Sequence, residues 1–237
     1  MYKLDFKIEE QPDNTSCGPV CLKAVYDYYK ISVELNDLVN DIHQFEEGGG
    51  TLAVMLAKHA LSMGFKAKMY SYNLNLFDPT WFKLTQSELI EKLTERKQTK
   101  QSDKKYMTTT DAYIEYINFG GELCFKDLKR GMITKYLKNN IPILTGLSST
   151  WLYQMIREDP VTNIDSDIKG EPAGHFVVLY GYDEDKDEVQ IADPYISNPI
   201  RGQHYYSVPM NRLITSILLG VMTYDGNLLI IHPKEIP

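Results

Sequence analysis

The sequence predicts an α+β fold in which N-terminal helices pack on a C-terminal antiparallel sheet. Three observations carry this. Apolar residues recur at helical spacing through most of the first 64 residues. The stretch HFVVLYGYDEDKDEVQIADP, from His175 to Pro194, alternates apolar and polar residues on both sides of an acidic turn, the pattern of a β-hairpin. No internal repeat divides the 237 residues, so a single domain over 1–237 is expected.

The elements follow in order. MYKLDFKI alternates as an edge strand, and Gln11-Pro12-Asp13-Asn14 is turn chemistry. Thr15 or Ser16 can cap a helix of about 13 residues. Pro19 is tolerated in its first turn, and Val20, Cys21, Ala24, Val25 and Tyr28 form its apolar stripe. ELNDLVNDIH reads as a second short helix. EEGGGT is a flexible glycine loop whose Thr51 can cap the helix LAVMLAKHALSMG, which stops at Gly64. FKAKMYSY alternates as a strand. Between Asn73 and Phe125 the pattern weakens, and an insertion or flap is expected there. Within it QSELIEKLTER and DAYIEYINFGG read as helices, and KQTKQSDKKYMTTT, from Lys97 to Thr110, reads as a mobile polar loop. The remainder gives a helix in DLKRGMITKYLKNN, a buried strand in IPILTGL and a short helix in STWLYQMI. The polar loop REDPVTNIDSDIKGEPAG, the hairpin, a helix in MNRLITSIL and a final strand in NLLIIHP complete the chain.

Composition narrows the function classes. With 43% hydrophobic residues the chain can fill a core, which excludes whole-chain disorder. A net charge of −7 argues against nucleic acid as a partner and suits a neutral or basic substrate. No apolar run approaches the roughly 20 residues of a membrane helix, and MYKLDFKIEE has no apolar signal core. No membrane insertion is therefore expected. Three cysteines, an odd and sparse count, make no disulfide framework and fit a reducing, cytoplasmic compartment.

Cys17 stands where the first helix begins, between Ser16 and Gly18-Pro19. It can be a packed core thiol, a metal ligand or a nucleophile. Cys17 and Cys21 are four residues apart, but with no second paired Cys or His motif this is not a zinc spacing, and no metal or cofactor is expected. Cys21 and Cys124 read as core packing; His43, His59, His204 and His232 read as structural or exposed. The nucleophile reading needs a partner. A helix N-terminus supplies about 0.3–1 kcal/mol to an anion, up to ~2 in good geometry. One pKa unit is about 1.4 kcal/mol, so activating an ordinary thiol also takes a nearby cation. His175 opens the first hairpin strand and Asp193 closes the second. Folded about Glu184, the hairpin sets the two opposite each other, with Val177 and Leu179 beside the histidine and Val189 and Ile191 beside the aspartate. A slip of one residue would separate them. Gln11 and the free Cys17 N–H can then supply oxyanion donors.

The order Gln…Cys-Gly-Pro…Cys, then Gly-His-Phe-Val-Val-Leu-x-Gly-Tyr, then Ile-x-Asp-Pro resembles the bacteriocin-processing (double-glycine leader) peptidases and their standalone relatives, among the papain-like cysteine peptidases. The resemblance implies a papain-like fold with Cys17 as nucleophile, His175 as base, Asp193 as orienter and Gln11, six positions before Cys17, in the oxyanion hole. Gly50 and Thr51 then line the cleft, as does Gly174. It is specific at 11–29, 48–64 and 174–194 and vague at 73–125. No transporter or ATPase motif follows, so a role in peptide export is not implied. The papain motif Cys-Gly-Ser/Ala-Cys is absent, so double-glycine specificity is not carried over. The reaction expected is cleavage of a peptide or small amide through a thioester. Transfer of the acyl group to another acceptor, or a binding module without catalysis, are the alternatives.

Overall fold

The alternating segments of the C-terminal half form the middle of a single sheet. The computed structural model describes residues 1–45, 50–159, 162 and 164–234, so residues 46–49 of the glycine loop and 160, 161 and 163 of the polar loop lie outside the described residues. Among these, the strands are β1 (Tyr2–Lys3), β2 (Lys66–Ser71), β3 (Glu122–Cys124), β4 (Ile143–Ser148), β5 (Gly174–Asp183), β6 (Glu188–Ala192), β7 (Tyr205–Pro209) and β8 (Asn227–His232). They lie in the order β3-β2-β8-β4-β5-β6-β7, with β1 on the hairpin end of β5. Every pair is antiparallel except β2 with β3.

Because strand residues alternate between faces, the sheet has two apolar sides, and helices cover both. One core gathers Phe176, Val178 and Tyr180 of β5 with residues of α1 (Cys17–Tyr28), α3 (Ala53–Ser62), α4 (Gln86–Gln98) and α5 (Lys104–Asn118). Leu38 of the short α2 (Leu35–Asp41) joins it. The other core gathers Val177, Leu179 and Tyr182 with residues of α6 (Arg130–Lys138), α7 (Ser149–Tyr153) and α8 (Met210–Leu219). This is the expected α+β architecture, with a second helical layer added by the C-terminal half. Among the described residues no helix is long and apolar enough to cross a membrane.

Three expectations are corrected. In place of a mobile loop at Lys97–Thr110, the chain ends α4, turns and begins α5 at Lys104. Tyr106, Thr110, Tyr113 and Ile117 form a buried helical stripe, read as polar because threonine and tyrosine supply half of it and more. The Thr110 hydroxyl donates to the Tyr106 carbonyl at 2.7 Å, which satisfies it inside the core. Strands β3 and β7 stand where the sequence predicts none, because three residues and the run YYSVP are too short to show alternation.

The third correction concerns register. The hairpin pairs Asp183 with Glu188 and Tyr182 with Val189, but Leu179 with Ile191 and Val178 with Ala192. An extra residue, Tyr180, is accommodated as a β-bulge. Extending the register beyond the bulge sets Asp193 opposite Val177, two residues from the expected partner His175. A two-residue offset keeps the face, so His175 and Asp193 are diagonal neighbours on one side. Had the turn register run on unbroken, Asp193 would lie opposite Val178 and face away.

Candidate active site

Helix α1 begins at Cys17. Pro19 has no N–H to leave unpaired, and Gly18 is required by space. A methyl group there would lie 2.7 Å from Thr51 Cγ2 and 3.2 Å from Phe176 Cδ2. Ser16 occupies the N-cap but makes no capping bond to the helix. Its hydroxyl donates instead to Asp13 Oδ2 at 2.8 Å, while Asp13 Oδ1 accepts the Thr15 N–H at 2.7 Å. Slight burial would raise the Asp13 carboxyl, but the bonds from Ser16 and Thr15 outweigh it and hold it below the usual range. The first N–H groups of α1 therefore remain free of side-chain caps. One turn on, the buried Cys21 thiol donates to the Phe176 carbonyl at 3.3 Å and ties α1 to β5 beside His175.

His175 donates from Nε2 to Asp193 Oδ1 at 2.8 Å. The Cys17 side chain is a second charge and hydrogen-bond partner of the ring. Asp193 is fully buried. Its Oδ1 also accepts the Tyr195 N–H at 2.9 Å, and its Oδ2 accepts the hydroxyls of Tyr153 at 2.7 Å and Tyr206 at 2.5 Å. Burial alone would lower the His175 pKa. The Asp193 carboxylate, the Cys17 sulfur and the hydrogen bonds to both outweigh it and push it up to about 10. Burial alone would raise Asp193, but the imidazolium charge and the bonds from His175, Tyr206 and Tyr153 hold it below the carboxylate range. The arrangement is an imidazolium buried between a carboxylate and a sulfur at a helix N-terminus, suited to acyl transfer.

A profile of the Peptidase C39 like family matches residues 3–216, nearly the whole chain. The chain belongs to this family. Membership agrees with the resemblance carried by the Gln, Cys-Gly-Pro and Gly-His motifs. No curated protein sequence matches. Among solved structures, one described as a C39-like peptidase from Bacillus anthracis has a TM-score of 0.50 at 13% identity, covering 99% of this chain and 100% of that one. Xylellain, a cysteine protease from Xylella fastidiosa, has a TM-score of 0.49 at 13% identity, with 99% and 86% covered. The peptidase domain of Streptococcus ComA, a bifunctional ABC transporter of quorum sensing, has a TM-score of 0.45 at 15% identity, with 97% and 99% covered.

The sequence of this C39-like chain points to four further site residues. Gln11 is tied to the Asp193 end of the site by its N–H, which donates to the Pro194 carbonyl at 3.0 Å. Its amide is engaged within the turn: Nε2 donates to the Asp13 carbonyl at 2.7 Å, and Oε1 is buried with no partner among the described residues. Thr51 does not cap α3; its hydroxyl donates to the His43 carbonyl at 2.8 Å and its methyl packs over Gly18. Gly50 is left-handed at φ 80°, where a side chain would be strained but would touch nothing. Gly174 pairs with Ser148, and Thr223 abuts it so closely that a methyl would lie 2.6 Å from the hydroxyl oxygen.

Sequence reasoning did not find Tyr153 and Tyr206, which come from α7 and β7 with no local motif. It also did not find Asp225, which accepts the Ala53 N–H of α3 at 3.4 Å and the Asn227 amide at 3.2 Å. Burial pushes the Asp225 carboxyl up to about 7. TYDGN, which contains it, reads only as a turn.

Proposed function

We propose that the chain is a cysteine peptidase that cleaves a peptide or small amide through a thioester on Cys17. The carrying observation is the hydrogen-bonded series Asp193, His175, Cys17 at the start of α1. In this reading the Cys17 sulfur attacks the substrate carbonyl carbon, whose π electrons move to oxygen. The His175 imidazolium gives its proton to the leaving nitrogen as the C–N bond breaks and the carbonyl re-forms as a thioester. Water, deprotonated by the now neutral His175, attacks the thioester, and the thiolate leaves to restore the ion pair. Asp193 holds the ring and stabilises its charge.

The oxyanion is held by the Cys17 N–H and by Gln11, whose amide exchanges the Asp13 carbonyl for the oxyanion. Gly50, Thr51 and Gly174 border the cleft. The three free thiols favour a reducing, cytoplasmic setting. The test is cleavage-product profiling of a peptide library by mass spectrometry with wild type and Cys17→Ala. New termini are expected with the wild type alone. Equal cleavage by folded Cys17→Ala would refute the nucleophile.

A further inference from the structure

Asp193 is fully buried, and among the described residues it pairs with His175 but with no lysine or arginine. Its Oδ1 meets His175 and the Tyr195 N–H. Its Oδ2 is left to the second core, where it accepts the Tyr153 hydroxyl at 2.7 Å and the Tyr206 hydroxyl at 2.5 Å. The two phenols arrive from opposite flanks of the hairpin, since the strands run β4-β5-β6-β7. Tyr153 closes α7, which follows β4 directly, and Leu147 of β4 pairs with His175. Tyr206 pairs with Ile191 of β6, and the Asp193 N–H carries that ladder on to the His204 carbonyl at 2.9 Å. Tyr206 is thus a diagonal neighbour of Asp193 on one face. The carboxylate is tethered to the elements on both sides of the strands that bear the catalytic pair.

Bonds to Oδ1 alone would not do this. The terminal torsion of an aspartate is soft, and a buried Oδ2 without donors would be an unsatisfied acceptor. Each hydroxyl that donates to a carboxylate favours its ionised form. Burial, and then the Asp193 charge, push both phenols up, so they remain neutral donors. The other titratable groups facing Asp193 are His175 and the Cys21 thiol, which burial pushes up and keeps uncharged. His204 meets only the backbone, donating from Nδ1 to the Asp193 carbonyl at 2.7 Å.

We propose that Tyr153 and Tyr206 are positioning residues that act through Asp193: their hydroxyls clamp Oδ2, keep the carboxylate ionised and hold Oδ1 on His175. The inference rests on the cysteine peptidase reading of Cys17, His175 and Asp193. Tyr153→Phe and Tyr206→Phe test it, since each keeps the ring and removes one donor. The rate of Cys17 alkylation by iodoacetamide is followed by mass spectrometry as a function of pH, with circular dichroism to verify the fold at each pH. Tyr182→Phe, which removes a hydroxyl from Asp187 at the hairpin turn, is the control. A hydrogen bond to a charged group corresponds to about one to two pKa units. With one donor gone, Asp193 takes up a proton at higher pH, and below that pH the imidazolium loses its counter-charge. The acid limb of the alkylation profile should therefore move up by about one unit in each tyrosine variant, with the plateau at neutral pH unchanged and Tyr182→Phe following the wild type. Either variant decides the question if the other misfolds. Folded variants whose acid limb stays in the wild-type position, whether or not the plateau falls, overturn the clamp and leave the peptidase reading standing. A wild-type Cys17 that alkylates no faster than a free thiol at pH 6 overturns the two together.

Discussion

Asp193→Asn separates the charge of the carboxylate from its shape. All four groups around Asp193 are donors: His175 Nε2–H and the Tyr195 N–H on Oδ1, and two tyrosine hydroxyls on Oδ2. An asparagine with its carbonyl in the Oδ1 position keeps the first pair. Its NH2 then meets Tyr153 and Tyr206, whose hydroxyls can rotate to accept. Ring orientation should therefore survive, and only the charge is lost. At roughly 4 Å between charge centres and an effective dielectric near 20, that charge is worth ~4 kcal/mol, or about 3 pKa units. Histidine titration by long-range 1H–15N NMR, with His175 assigned through His175→Gln, should place its pKa near 10 in wild type and about 3 units lower in the variant. Turnover at pH 6, where both rings are protonated, should be nearly equal; at pH 8.5 the variant should fall behind. Asp193→Ala leaves four buried donors unpaired at about 1–3 kcal/mol each and should be far less stable. A His175 that still titrates near 10 in folded Asp193→Asn would refute the carboxylate as the source of the shift.

Two stability predictions follow from buried groups near the site. Asp225 titrates near 7 in the fold and about 3.9 unfolded, so the folded state keeps its proton longer and stability falls as pH rises from about 4 to 7. Asp225→Asn, which retains the acceptor for Ala53 and Asn227, should stabilise the protein at pH 8 by up to about 4 kcal/mol and have little effect at pH 4; urea unfolding at the two pH values measures this, and equal effects at both would contradict it. Gly18→Ala forces a methyl against Thr51 and should cost about 1–3 kcal/mol. Adding Thr51→Ser removes the clashing methyl while keeping the bond to His43, so the pair should be non-additive by about 1 kcal/mol or more; strictly additive effects in denaturant unfolding would place the strain elsewhere.

The parts of the site that could be read in sequence are those tied to a local rule. Cys17 stands out because a helix start is visible in Gln11–Tyr28, with turn residues, Pro19 in the first turn and an apolar stripe. His175 and Asp193 stand out because each ends one strand of an alternating hairpin. Residues that arrive from elsewhere leave no such trace. Tyr153 reaches Asp193 from a five-residue helix and Tyr206 from a strand that opens on two adjacent tyrosines. Asp225 serves the start of α3 across 172 residues of chain. The helix at Lys104 is hidden for a different reason: its buried face is made of tyrosine and threonine, the Thr109 and Thr110 hydroxyls donating to carbonyls four residues back and the Tyr113 and Tyr116 hydroxyls reaching Met69 Sδ and the Ala67 carbonyl.

The hairpin shows how a correct face can follow from an incorrect register. Folding about Glu184 paired His175 with Asp193 and put them on one side. The turn actually closes between Asp183 and Glu188, which by itself would put Asp193 on the side of Val178. The extra residue at Tyr180 reverses that parity. Tyr180 is buried in the first core, beside Phe6 and Tyr205, while Leu179 and Tyr182 on either side both face the second. The bulge thus lets one strand serve the same core on both sides of a register change. The bond between His175 and Asp193 depends on it, although Tyr180 touches neither. Removing one residue at this point would leave the apolar content of β5 almost unchanged and would turn Asp193 away from the imidazole, so the backbone irregularity is as necessary to the site as the side chains that meet there.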